Sequence, residues 1–141
     1  MTLLNMVIEL PKNKAFDLHC LADCNFLSKI FASKIISLKQ ESELKTNSQC
    51  QRRLVNMRGR QFIEEIIHLS EDKLIYQIEG QGPVKHHQGE INYINGTETH
   101  YLRYKIYGQS NTWLPTWLLK IVMKYDFNLM AKRLRKSLNE R

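Results

Sequence analysis

The sequence predicts an α+β fold in which an antiparallel sheet is followed by one long C-terminal helix. Segments with period-two alternation fill most of residues 51–107, and tight turn signals separate them. No breaker interrupts the helical pattern that starts near Trp113. A single helix laid across such a sheet covers one face and can leave a pocket between the two. We therefore expect the function to reside in that pocket.

Length and charge limit the organisation and the partners of the chain. Its 141 residues have the size of one domain, so we predict a single domain over residues 1–141. Lys and Arg outnumber Asp and Glu by 21 to 14, and the net charge of +7 favours anionic surfaces. The C-terminal cations are typical of a solvated helix face, and the alternative is peripheral contact with an anionic membrane. No nucleic-acid partner is expected, because no stacking array or recognition motif accompanies the charge.

Cysteine content and hydropathy favour a soluble, cytoplasmic protein. The three cysteines Cys20, Cys24 and Cys50 cannot all pair within one chain, and residues 1–10 are too short and too interrupted by polar residues for a secretory signal. No apolar run reaches the length that spans a bilayer. A reducing compartment fits this pattern best.

The N-terminal part is predicted to contain one strand, two short helices and a second strand. Residues 3–10 alternate as a strand, which Pro11 ends because proline cannot donate to a ladder. Apolar residues recur at helical spacing over residues 12–31, and Asp23 can cap a break between two helices. Residues 34–40 again have the pattern of a strand.

The central part is predicted to be a meander that starts at this second strand. A polar connection over residues 41–49 leads into five further strands, at residues 51–57, 61–69, 73–79, 84–94 and 97–107. Asn95-Gly96 is the dipeptide typical of a two-residue type I′ hairpin. The meander thus has six strands, and the first strand can add a seventh.

The predicted C-terminal helix carries Pro115 in its first turn, where the missing N–H is not needed. Its main apolar stripe consists of Leu114, Trp117, Leu118, Ile121, Val122, Tyr125 and Leu129. A second apolar side consists of Phe127, Ala131, Leu134 and Leu138. We expect a bent helix, or one that is apolar over a wide arc, with its tryptophans packed on the sheet. The alternative is that Trp117 and its neighbours form the cavity mouth or a membrane-touching edge.

The order of these elements and several short pieces of sequence resemble one known superfamily. The pieces are Ile8-Glu9-Leu10-Pro11, Ala15-Phe16, Asp23, Arg53, Glu64-Glu65-Ile66, Tyr76-Gln77-Ile78, Gly89-Glu90-Ile91 and Gly96-Thr97-Glu98-Thr99. In this order they resemble the START-like superfamily, also called the polyketide cyclase/dehydrase (SRPBCC) group. The resemblance covers nearly the whole chain.

The resemblance implies a helix-grip fold, in which a curved seven-stranded antiparallel sheet wraps around the C-terminal helix and encloses an apolar cavity. Members bind lipids, sterols, polyketides or quinones, and they include carriers, receptors, ring-closing enzymes and hydrolytic accessory proteins. The fold therefore does not decide between these functions. Many members also carry a Trp after the second short helix, where this chain has Ile30-Phe31.

The family register turns Phe62, Glu64, Ile66 and His68 of the fourth strand inward. A carboxylate such as Glu64 in an apolar cavity must be hydrogen-bonded or neutral, so it would orient a ligand or act as a general base. The structural alternative, which we favour, is an ion pair with Arg53 on the neighbouring strand. The same register turns the phenols of Tyr76, Tyr93 and Tyr101 inward. The predicted ligand-binding residues are Arg53, Phe62, Glu64, Tyr76, Tyr93, Tyr101, Trp117 and Ile121.

Histidine and cysteine residues offer further chemistry. His86 and His87 are adjacent in a strand and point to opposite faces, so they do not form a two-His metal site; an inward His87 could act as an acid or base. Cys20 and Cys24 lie one helical turn apart, but a zinc site needs about four ligands and the sequence offers no second pair. We therefore expect no metal, and we expect these cysteines to be small buried apolar residues. No cofactor motif occurs either.

The leading hypothesis is therefore binding or transport of one small hydrophobic or lipid-like ligand. The alternative is an enzyme of the polyketide cyclase, dehydratase or hydrolase type that uses Glu64 or His87 as acid or base. A third hypothesis is a partner-binding adaptor without a ligand, which would show an exposed apolar patch.

Overall fold

The computed structural model describes residues 2–11, 16–37, 52–57, 60–79, 84–96, 99–110 and 115–140. Within these ranges seven strands form one antiparallel sheet, in the order β1-β7-β6-β5-β4-β3-β2. The strands are β1 (Thr2–Glu9), β2 (Lys34–Ser37), β3 (Arg52–Met57), β4 (Arg60–Leu69), β5 (Lys73–Glu79), β6 (Val84–Asn95) and β7 (His100–Ser110). The helices are a short 3₁₀ helix (Leu18–Ala22), α1 (Cys24–Phe31) and α2 (Thr116–Asn139). The predicted curved sheet, paired short helices and long C-terminal helix are confirmed.

One face of the sheet, here called the inner face, carries the core. β1 pairs with β7 so that Ile8 lies opposite Leu102 and Met6 lies opposite Tyr104. Cross-strand partners share a face, so these alternate residues continue one apolar surface across the strands. Leu102 and the neighbouring Leu74 and Ile91 are almost completely buried. The alternation predicted for β1 from Leu4 to Leu10 is therefore confirmed.

Helix α1 is held at both ends. Asp23 accepts hydrogen bonds from the backbone N–H groups of Asn25 and Phe26, which is the predicted cap. At the other end Ala32 adopts the left-handed conformation, with φ of 50°. Arg133 of α2 donates to the backbone carbonyl of Ile30 at 3.3 Å and ties α2 to the last turn of α1.

Helix α2 faces the core with the side that was predicted to be secondary. The core stripe consists of Leu119, Met123, Phe127, Met130, Ala131, Leu134 and Leu138. The three large side chains of the predicted main stripe point to solvent instead: Trp117 is 63% exposed, Ile121 57% and Tyr125 60%. The prediction that Trp117 anchors the helix on the sheet is wrong. Leu119, which packs in the core, lies two positions after Trp117, and two positions along a helix correspond to a rotation of about 200°. Trp117 therefore points away from the core. Pro115 precedes the first helical turn as its N-cap residue.

A β-bulge in β4 changes which of its residues face inward. Ile66 lies opposite Tyr76, but His68 lies opposite Ile75, so Ile67 is the extra residue. The predicted inward position of His68 is therefore wrong: His68 is exposed, and Leu69 takes the inner face opposite Leu74.

The β6–β7 connection is longer than predicted. Asn95 pairs with His100, so the predicted two-residue turn at Asn95-Gly96 is wrong. The backbone N–H of Gly96 donates to the carbonyl of Thr99 at 2.9 Å. The connection predicted at residues 41–49 and the breaker at residues 80–83 lie outside the described residues. None of the described helices is both long and apolar enough to cross a membrane.

Candidate ligand-binding site

An ion pair crosses β3 and β4 on the inner face. Arg53 and Glu64 are direct cross-strand partners, and Arg53 Nε donates to Glu64 Oε2 at 2.8 Å. Arg53 Nη1 also donates to the backbone carbonyl of Leu21 at 3.1 Å. The two side chains are only 4% and 15% exposed, so the surrounding medium screens their attraction poorly. The structural pair that the sequence favoured is present, and it engages the carboxylate that would otherwise be a free base.

Tyr76 of β5 lies over a glycine in the neighbouring strand. Gly89 is its cross-strand partner in β6, and a Cβ atom built on Gly89 would collide with the phenol ring. Only glycine therefore allows the ring to lie flat against the β6 backbone at this point. Burial, together with the nearby Glu64 carboxylate, holds the pKa of Tyr76 well above its usual value, so the phenol stays protonated.

His87 lies beside the Tyr76 phenol. Tyr76 Oη and His87 Nε2 are 3.4 Å apart, and the two ring centroids are 5.7 Å apart. A bulge in β6 between Lys85 and Gln88, with His86 at a φ of 52°, leaves His86 exposed and turns His87 inward. Burial lowers the pKa of His87 from 6.5 to about 4, so the imidazole is neutral at physiological pH.

A second inner phenol comes from Tyr104 of β7, which the sequence analysis missed in favour of Tyr101. Tyr93 of β6 faces inward and pairs with Leu102, so the odd-numbered Tyr101 must face outward. The inward position of Tyr101 is therefore wrong. Pairing parity alone would have assigned Tyr104, which is 3% exposed and packs on Phe127 at 4.9 Å between ring centroids. Burial raises the pKa of Tyr104 as well.

A third phenol belongs to a separate network near the start of β7. Tyr93 Oη lies 2.8 Å from His100 Nδ1, and His100 Nε2 lies 2.7 Å from the backbone carbonyl of Pro11. The carbonyl can only accept, so His100 donates from Nε2 and Nδ1 accepts from the phenol. Phe16 packs on the Tyr93 ring at 5.5 Å. This network fixes Tyr93 in place at one end of the inner face.

Several inward apolar side chains keep part of their surface accessible. Phe62 lies opposite Val55 and Ile78 lies opposite Glu64, yet both are only half-buried. Both pack against the core cluster on the inner face. Helix α2 makes its largest contacts with α1 and β1, followed by β7, so it covers one side of the sheet more than the other. Among the described elements, α2 therefore leaves apolar surface on the inner face of β4 and β5 partly accessible.

Two predicted ligand-binding residues lie away from this region. Trp117 and Ile121 sit on the outer side of α2, where they do not line the inner face. Of the two described cysteines, Cys24 is disulfide-bonded and buried, and Cys20 is half-buried. The described residues include no cluster of three or more metal-ligating side chains.

The backbone arrangement matches several solved structures. A START superfamily protein from Mycobacterium smegmatis superposes with a TM-score of 0.76 over 97% of both chains, at 10% identity. This chain has a helix-grip fold. A conserved protein from Geobacillus kaustophilus gives a TM-score of 0.74 at 18% identity, over 96% of this chain and 94% of the other. Ara h 8.0201 gives 0.67 at 12% identity, over 100% and 99%. Neither a protein-family model nor a curated protein sequence matches the chain.

The superpositions support the helix-grip fold, and at identities of 10–18% the ligand and the chemistry have to be argued from the residues. In this helix-grip chain the inner face brings together Arg53, Glu64, Tyr76, His87 and Tyr104. The sequence pattern or the resemblance identified four of the five as candidates. The fifth, Tyr104, follows from the pairing of β6 with β7.

Replacing Arg53 with Met is expected to lower the free energy of unfolding by about 3–5 kcal/mol, because Glu64 is left buried without its partner. Arg52→Met is the matched control: Arg52 binds Glu79 at 2.8 Å, but the two side chains are 31% and 35% exposed, so the loss is expected to be much smaller. Urea unfolding measures both. Adding Glu64→Met to Arg53→Met should recover part of the loss, and a double variant less stable than Arg53→Met would contradict a paired charge at this site.

The depressed pKa of His87 predicts a pH dependence of stability. Between about pH 6.5 and pH 4 the unfolded chain binds a proton that the folded protein excludes, so stability falls as the pH is lowered through this range. The full loss is about 3 kcal/mol as an upper limit. Unfolding of His87→Asn should lack this slope. His86→Asn, which changes the exposed neighbour, should retain it, and equal slopes in both variants would refute the buried neutral imidazole.

Proposed function

We propose that this protein binds a small hydrophobic or lipid-like molecule between the inner face of the sheet and α2. The partly accessible inward side chains of Phe62 and Ile78 support this proposal. Burying their accessible apolar surface under a ligand contributes a favourable free energy of binding. The helix-grip fold supports it as well. A carrier needs no further chemistry than this burial and a means of orienting the ligand.

The polar groups beside this apolar surface favour an uncharged polar end on the ligand. Glu64 already balances the charge of Arg53, and both Tyr76 and His87 are neutral at physiological pH. A charged group would have to enter this buried region without a counterion, which is costly. A hydroxyl or carbonyl oxygen, in contrast, can accept a hydrogen bond from a phenol. We therefore expect one such oxygen near Tyr76.

The alternative function is acid–base catalysis, and one contact favours it. His87 is neutral and lies 3.4 Å from a protonated phenol, so it could accept a proton while the phenol polarises a carbonyl oxygen. Glu64 is a weaker candidate for this role than the sequence suggested, because its carboxylate is bound by Arg53 at 2.8 Å. His87 is thus the residue on which the enzyme hypothesis depends.

Filling the inner face should abolish ligand binding. Ile78→Trp places a larger ring in the partly accessible region, and we expect at least roughly tenfold weaker binding of the neutral apolar dye Nile red, measured by fluorescence titration. Gln77→Trp adds the same ring to the exposed outer face one residue earlier and should leave binding unchanged. Circular dichroism checks that both variants fold. Wild-type protein that neither binds Nile red nor carries an apolar compound in native mass spectrometry would refute the proposal.

A turnover assay distinguishes ligand binding from acid–base catalysis. The compound recovered from the purified protein is incubated with fresh protein, and mass spectrometry follows loss of water, ring closure or hydrolysis. If the protein is an enzyme, His87→Asn should bind the compound and slow its conversion by roughly 100-fold or more, the usual contribution of a general base. Unchanged compound after incubation with wild-type protein would leave binding as the function and exclude turnover of that compound.

A further inference from the structure

The outer side of α2 carries an apolar stripe that none of the described elements covers. Trp117, Ile121 and Tyr125 follow at intervals of four residues, so their side chains stand in one row along the first half of the helix. Each is more than half exposed. On the opposite side of the same turns, Leu119 is buried against β1 and β7 and holds the helix in place. The stripe, here called the outer stripe, is therefore presented to solvent by a fixed helix.

Lysines flank the outer stripe. Lys120 and Lys124 are exposed and lie between its members, and no ion pair among the described residues engages either one. Helix α2 is described along its whole length, and none of its exposed positions carries Asp or Glu. Further along the same helix, Lys132 and Lys136 are exposed as well. The acid of α2, Asp126, is half-buried, so the exposed outer side of the helix combines two aromatic rings with lysines that no described residue pairs with.

We propose that the outer stripe and its flanking lysines bind the surface of an anionic lipid bilayer. A helix lying in the plane of such a surface inserts aromatic and aliphatic side chains among the lipid headgroups and keeps lysines near the phosphates. Each lysine close to an anionic membrane adds to the attraction. The net charge of +7 acts in the same direction. Trp117, Ile121 and Tyr125 supply the apolar part of this contact.

A second copy of the chain fits the outer stripe less well. A two-fold contact would place the same surface against itself, and Lys120 and Lys124 would then face their own copies. Such like-charge contacts oppose association. Three side chains also offer less than the roughly 800 Å² per partner that a stable interface buries. A membrane meets neither difficulty, because its headgroups supply the opposite charge.

Vesicle binding tests this proposal with the full chain. The protein is sedimented with phosphatidylcholine vesicles that contain or lack phosphatidylserine. We expect binding only to the anionic vesicles, weakened by added NaCl. Trp117→Ser combined with Ile121→Ser should reduce the partition coefficient by roughly tenfold or more, and Lys120→Gln or Lys124→Gln by roughly fivefold each.

Matched controls change the same residue types elsewhere on the surface. Ile67→Ser removes an apolar side chain that is 48% exposed on β4, and Lys34→Gln removes an exposed lysine on β2; neither should change partitioning. Light scattering measures the oligomeric state of each variant. Failure to bind anionic vesicles, equal losses in the controls, or a dimer that Trp117→Ser dissociates would overturn the proposal. These results are independent of the interior ligand, because Nile red binding is measured separately and without vesicles.

Discussion

The packing of α2 over a curved sheet is the constraint on which the rest of the structure depends. An antiparallel sheet with one apolar face is unstable in water until something covers that face, and here the covering stripe runs from Leu119 to Leu138. Phe127 sits at the centre of the contact, with its ring 5.5 Å from Phe31 of α1 and 4.9 Å from Tyr104 of β7. This position of α2 decides which of its own side chains face solvent. It also decides that the inner face of β4 and β5 is covered less than that of β1 and β7.

Helix α2 covers the inner face unevenly. Its main contacts are with α1 and β1, and Arg133 reinforces the first of them by donating to Ile30. Strands β4 and β5 therefore keep inward side chains, such as Phe62 and Ile78, that are packed on one side and accessible on the other. Uneven coverage is the structural basis of the proposed ligand site.

The polar residues on the inner face are arranged so that no net charge remains inside. Arg53 is balanced by Glu64 and also bonded to the carbonyl of Leu21, while Tyr76 and His87 contact each other. Every buried side-chain nitrogen or oxygen among the described residues has a hydrogen-bond partner. Such an interior can receive an apolar molecule with one neutral polar group. Glu64, which the sequence suggested as a base, instead balances the charge of Arg53.

The sequence by itself determined the strands, the cap at Asp23 and the Arg53–Glu64 pair, because period-two alternation, capping and cross-strand pairing are local properties. Only the tertiary structure decided which side of each element faces the core. Bulges at Ile67 and near His86 shift the register by one residue, and a helix with apolar residues on two sides can pack with either one. In α2 the side with Met130 and Leu134 packs in the core, and Trp117 lies on the exposed side.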